Sequence, residues 1–229
     1  MKKLFTLIIS VLFIGGCAHT NELMNYDLKG KKAHFEERVL SQARTIQVEM
    51  NETKSDSKDK AVSILEAVVS VSSAALSAEK ISDLKESIDT YELIFSVAEG
   101  IKETMETYID LVAVDDKRDA DFIIETELER CVLNVAKDNV HVTVQANTKI
   151  IDRATGKIVW ENWESDTVPV GRSASNVKVK KGTESNILTA LQLASLSKEE
   201  INACVGEAAI DVGREMGETF REDLAESKK

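Results

Sequence analysis

An α+β domain of two layers, an antiparallel sheet with helices on one face and a long helical pair inserted after the first strand, is predicted by three features of the sequence. Residues 122–129 and 140–150 alternate apolar with polar at a period of two. Residues 61–112 and 197–220 instead repeat apolar residues at three and four. A turn-forming stretch, Asp152-Arg153-Ala154-Thr155-Gly156-Lys157, separates two of the alternating runs. Period two marks strands with one packed and one wet face, and period 3.6 marks helices able to cover the packed face.

The elements follow in chain order. Phe35, Val39 and Ala43 stand at i, i+4 and i+8, predicting a helix over 33–43, and Ile46, Val48 and Met50 then predict a first strand. The stretch NETKSDSKDK at 51–60 is a charged loop. Val62, Leu65, Val69 and Leu76 begin the helical pair, about 60–113. Its second member is capped by Asp83 and Glu86 and runs through Leu84, Ile88, Tyr91, Phe95, Ala98, Ile101, Met105, Tyr108 and Val112. Glu66 and the serines of 61–78 favour a buried helix over a membrane span.

The sheet, about 120–168, is the most legible part. Phe122, Ile124, Thr126 and Leu128 face one way, with Glu125, Glu127 and Glu129 on the other side. Val140, Val142, Val144, Ala146 and Ile150 alternate with His141, Thr143, Gln145, Asn147 and Lys149. Lys149 is placed to pair with a glutamate of the ladder, and Gly156 supplies a positive φ to the hairpin leading to Ile158-Val159-Trp160. C-terminal helices, about 185–226, close the domain. Ser197 and Glu200 form a capping box ahead of the stripe Ile201, Cys204, Ala208, Val212, Met216, Phe220. Ala209, Gly213 and Gly217, spaced by four, favour tight packing of this helix on the sheet over dimerisation.

The N-terminus has an organisation of its own. Lys2 and Lys3 precede the apolar stretch Leu4–Phe13, too short for a mature span, and Ile14-Gly15-Gly16-Cys17 follows. This resembles the lipobox of bacterial lipoproteins. The resemblance implies a signal peptide over 1–16, cleavage before Cys17, a diacylglycerol on its thiol and acylation of the new amine. Several acyl chains make attachment to the membrane permanent. With Ala18 after the cysteine, the sorting rule implies the outer membrane facing the periplasm. Residues 17–32 then read as a lipidated tether to a single domain, 33–229.

Loss of the signal peptide leaves 213 residues and takes the net charge from −11 to −13, since Lys2 and Lys3 go with it. So acidic a chain argues against nucleic acid as a partner, because phosphate binding needs clustered Lys and Arg. The one basic patch of the mature chain, Arg172, Lys178, Lys180 and Lys181, is a candidate contact for a partner. Of three cysteines, Cys131 and Cys204 remain after lipidation and form a candidate disulfide. Cys204 lies on a core stripe, whereas the parity of an unbroken strand turns Cys131 away from the helices. A bulge near Arg130 would reverse that.

Candidate chemistry is sparse. His19, His34 and His141 have no metal-ligand spacing, and no nucleophile elbow or phosphate loop occurs. Asp115, Asp116, Asp119 and Asp121 do not follow the calcium-loop pattern. The glutamate ladder lines one strand and not two sides of a cleft. No catalytic residue, metal or cofactor is therefore expected.

The segments ADFIIETELERC and VHVTVQANTKIIDRATGKIVWE, with the small-residue helix that follows, resemble a pattern of envelope lipoproteins, including curli-secretion lipoproteins and activators of peptidoglycan synthases. The resemblance implies a compact α/β domain that works by contacting other proteins. The expected function is thus a lipid-anchored, non-enzymatic accessory or scaffold lipoprotein with an envelope protein as partner, and self-association also open. A periplasmic ligand- or lipid-carrying module is the alternative and would need an apolar cavity between sheet and helices. An enzyme, third, would need His141 and the glutamates to converge on a cleft.

Overall fold

The computed structural model describes residues 19–50, 88–135, 140–170 and 197–228. It is an α+β fold. Strands β1 (Thr20–Asn21), β2 (Lys32–Val39), β3 (Gln47–Met50), β4 (Val112–Ala113), β5 (Phe122–Val135), β6 (Val140–Asp152) and β7 (Ile158–Val170) form one sheet, and helices α1 (Thr90–Ile109) and α2 (Lys198–Glu226) lie across it. The strand order is β1-β7-β6-β5-β2-β4, with β3 also on β5.

The alternating sequence runs are the antiparallel centre of this sheet. β5 pairs with β6 and β6 with β7, from Val140 opposite Val170 to Ile151 opposite Ile158. At the hairpin, Gly156 has φ 70° and donates its N–H to the Asp152 carbonyl at 2.8 Å. The Asp152 carboxylate accepts from the N–H and hydroxyl of Thr155, each at 2.7 Å. Those bonds hold its carboxyl below the usual range.

The helix expected over 33–43 is instead β2, ending in a short 3-10 turn at Ser41–Ala43. A spacing of four is also a multiple of two, so the same apolar residues suit a strand face. The ladder offered by β5 decides the outcome. β2 and β3 share one edge of β5, Ala33–Val39 opposite Phe122–Leu128 and Gln47–Met50 opposite Val132–Val135, and both run parallel to it. Parallel neighbours need a long crossover. The helical insertion between β3 and β5 provides it.

α1 is shorter than the sequence stripe. Asp89 caps it, accepting from the N–H groups of Tyr91 at 2.9 Å and Glu92 at 3.4 Å. It ends at Asp110, whose φ is 52°, and Val112 already belongs to β4. The Asp83 cap and the helix expected from Ala61 lie outside the described residues. α2 begins with the expected capping box: Ser197 Oγ accepts from Glu200 N at 3.1 Å, and the Glu200 carboxylate from Ser197 N at 3.0 Å. Ser197→Ala is expected to lower unfolding free energy by about 1 kcal/mol, measured by urea denaturation. An unchanged midpoint would mean that tertiary packing alone fixes this helix end.

The core lies between helices and sheet. Ile94, Val97, Ile101 and Met105 of α1 and Val205, Val212, Met216 and Phe220 of α2 are buried against Ile124, Leu128, Val142, Val144 and Trp160. Trp160 meets Phe220 edge to face, ring centroids 5.4 Å apart. These side chains form one continuous apolar cluster between the helices and the sheet. The glycine stripe of α2 packs on α1, not on the sheet. A Cβ at Gly213 would stand 2.6 Å from the Val97 carbonyl oxygen and 3.0 Å from its Cα. The two helix backbones touch here.

Residues 19–31, expected to be a free tether, are part of the fold. Thr20 and Asn21 pair antiparallel with Glu161 and Trp160, and Glu22 donates its N–H to the Val159 carbonyl at 2.8 Å. Leu23 and Leu28 are buried, and Tyr26 meets Phe122 edge-on at 6.3 Å. The two leucines carry the segment into the core, so polar composition alone misplaced it.

Candidate functional site

Two surfaces bear on function. On the sheet face away from the helices, Lys149 of β6 stands directly opposite Glu125 of β5 and Glu161 of β7. Its ammonium lies 2.9 Å from Glu127, 3.8 Å from Glu161 and 3.9 Å from Glu125. Arg38 of β2 continues the pattern, 2.8 Å from Glu125 and 3.0 Å from Glu36, and Lys117 lies 2.6 Å beyond on Glu36. The charges alternate across the sheet. This face is less wet than strict alternation implies, with Glu125 and Glu161 each only 9% exposed and Asn147 buried.

The electrostatics suit mutual compensation. Burial works against the Lys149 ammonium, but the Glu127 hydrogen bond and the fields of Glu127, Glu161 and Glu125 outweigh it, so its pKa is raised. The Glu36 carboxyl is held below the usual range chiefly by the hydrogen bond from Lys117, against a smaller cost of burial and with help from Arg38. A carboxyl so held is a poor proton donor near neutrality. His141 pairs with Asn134 and Pro169 at the other end of β6. At the strand rise it lies about 26 Å from Lys149. The histidine and the glutamate ladder therefore do not converge.

A bulge of the kind that would reverse the parity is present, with the register shifting between Leu128 and Arg130. It turns Cys131 into the core, and it frees Glu129 to accept from the Trp163 indole at 3.1 Å. In this structure Cys131 and Cys204 are not bridged. Both sulfurs are held as thiols, and that of Cys204 is 3.9 Å from the Pro169 carbonyl oxygen. Burial pushes the Cys131 thiol up to about 12. Cys131 is accordingly expected to resist a disulfide reagent at pH 8 in the native protein and to react on unfolding, as thiol titration with and without guanidinium would record. Fast native labelling at this position would contradict the buried placement.

The second surface is the outer side of the helix layer. Tyr91, Phe95 and Ile210 are 57%, 56% and 58% exposed. Phe95 and Ile210 border an open groove of about 620 Å³ between α1 and α2, with Glu99, Glu103, Arg214 and Glu218 along it. Farther down, the Arg221 guanidinium sits over the Tyr108 ring, 5.8 Å from its centroid. Sequence periodicity had placed Tyr91, Phe95 and Tyr108 on the packed stripe. The true stripe is Ile94, Val97, Ile101, Met105 and Ile109. The rival run of Leu93, Ile94 and Val97 was the available signal. Cys17 and the basic patch of Arg172, Lys178, Lys180 and Lys181 lie outside the described residues.

No protein-family model and no curated protein matches the chain. Among solved structures it is similar to protein XCC0632 from Xanthomonas campestris, of family DUF330, at 11% identity and a TM-score of 0.45 over 93% of each chain. Protein CT253 from Chlamydia trachomatis gives 9% identity and a TM-score of 0.36 over 82% of this chain and 96% of that one. PelC from Paraburkholderia phytofirmans, a dodecamer, gives 10% identity and a TM-score of 0.33 over 82% and 88%. At these scores the similarity is one of outline, and no role is carried over from any of them.

Proposed function

We propose that the chain is a lipid-anchored, non-enzymatic accessory lipoprotein of the bacterial envelope, held through Cys17 on the outer membrane and working by protein contact through the outer face of α1 and α2. The observation that carries the contact surface is the exposure of Phe95 and Ile210 along a groove edged by carboxylates, with the exposed Tyr91 four residues before Phe95 on α1. Large apolar side chains clustered outside a filled core are what interfaces use as anchors. On the sheet face, by contrast, Glu36, Glu125, Glu127 and Glu161 each have a cation of the same face within 4 Å.

A photocrosslinking residue at Phe95 in the living cell tests this. The expected product is one stoichiometric envelope protein, lost at least tenfold when Ile210→Glu is added while the circular dichroism spectrum is unchanged. Crosslinks only to a second copy would replace the separate partner with self-association. No crosslink at Phe95, with crosslinks from the sheet face instead, would move the contact to Lys149 and its neighbours.

A further inference from the structure

The anchor reading places lipid on Cys17, and His19 is bound to the folded domain. The His19 imidazole Nε2 is 2.8 Å from the Asp223 carboxylate, and its ring stands edge-on to Trp160, centroids 6.2 Å apart. The same Asp223 oxygen accepts from the Trp160 indole at 2.7 Å. From this latch the chain enters β1 directly. One residue, Ala18, lies between Cys17 and His19, and the two Cα–Cα steps reach at most about 7 Å in extended chain. The anchor reading therefore puts the acyl chains close to the start of β1.

The end of the domain nearest the anchor also has a distinctive surface. Met24, on the 3-10 turn between buried Leu23 and Leu28, is 75% exposed, the highest value among the exposed large hydrophobic side chains described. It lines a small recess with Tyr26, Leu224, Ser227 and Lys228, so it adjoins the last turn of α2, the turn that holds His19. The C-terminal end of α1 lies here too, for Gly30 donates its N–H to the Ile109 carbonyl at 2.9 Å. An exposed thioether side chain within reach of the bilayer fits the headgroup–acyl boundary.

We propose that this end of the domain, comprising β1, the Met24 turn and the last turn of α2, rests on the bilayer surface. The His19–Asp223–Trp160 latch sets its orientation, and α2 rises away from the membrane. The inference rests on the lipid-anchor reading and adds which face meets lipid. Glu199, 24 residues before Asp223 on the same helix, lies about 36 Å higher at 1.5 Å per residue.

The test uses the lipidated full chain carrying Cys204→Ser, reconstituted in phosphatidylcholine vesicles containing a nitroxide-headgroup lipid. A fluorophore is attached through Met24→Cys in one sample and Glu199→Cys in another. Quenching at position 24 is expected to exceed that at 199 at least threefold. A flexible Gly/Ser insert of about ten residues between Ala18 and His19 is expected to leave the protein on the vesicles and remove the difference. Protein that does not float with vesicles would overturn the anchor itself. Protein that floats but is quenched equally at both positions, or shows no effect of the insert, would overturn the seating while leaving the anchor intact.

Discussion

Gly213→Ala is expected to lower unfolding free energy by about 2 kcal/mol, although alanine is the better helix former. A Cβ at 213 would be 2.6 Å from the Val97 carbonyl oxygen, and the atoms it meets are backbone and cannot rotate away. Forcing an extra methyl into a dense interior costs about 1–3 kcal/mol, and a backbone neighbour places this site near the top of that range. Relief of the glycine's helix penalty returns about 1 kcal/mol. Gly206, on the same helix with nothing within 4 Å of its would-be Cβ, is the control. Gly206→Ala is expected to stabilise by about 0.5–1 kcal/mol. Urea denaturation of both variants would show shifts of opposite sign. Equal stabilisation at the two positions would mean that α1 and α2 do not touch through their backbones.

Lys149→Met is expected to cost about 3 kcal/mol at pH 7, the lower end for breaking a largely buried ionic cluster, since the lysine side chain keeps 22% of its exposure. The substitution leaves Glu125, Glu127 and Glu161 facing one another around an apolar side chain. Arg38 still compensates Glu125, so the loss falls mainly on the other two. In the unmodified protein the direction of the pH dependence is set by the raised lysine pKa. Its contribution is fully present below the unfolded value of about 10.4 and disappears as pH rises through the higher folded value. Adding Glu127→Gln to Lys149→Met should recover part of the loss. A deficit independent of pH, with no recovery in the double variant, would show that Lys149 acts through packing and not through charge.

The legible parts of this fold were those whose order is local. The hairpin at Gly156, the alternation of β6, the pairing of Lys149 with the glutamates and the Ser197 box each depend on residues within one or two elements. Placement that depends on a distant partner was not legible. Phe35 and Val39 fit a helix as well as a strand until β5 is beside them. Tyr91 and Phe95 read as core until Ile94 and Val97 take that side. The bulge at 128–130 was conceivable from the sequence but not dictated by it, and it determines where Cys131 and Glu129 point. Residues 19–31 showed no periodicity because their backbone bonds go to distant partners, Glu22 to Val159 and Gly30 to Ile109 among them.

The sheet joins ends of the chain that are made at very different times. Lys32 donates its N–H to Asp121, 89 residues on, and His19 waits for Asp223 at the last turn of the last helix. Closing such loops is slow relative to forming a hairpin. A β6–β7 ribbon should therefore assemble early, with β2 adding to β5 afterwards. The stretch at His19, synthesised long before its partner, is then secured only once Asp223 has been made, and its closure records that α2 is in place. A chain cut short before Asp223 would lose the contacts of that carboxylate with His19 and Trp160, leaving β1 held by its pairing with β7.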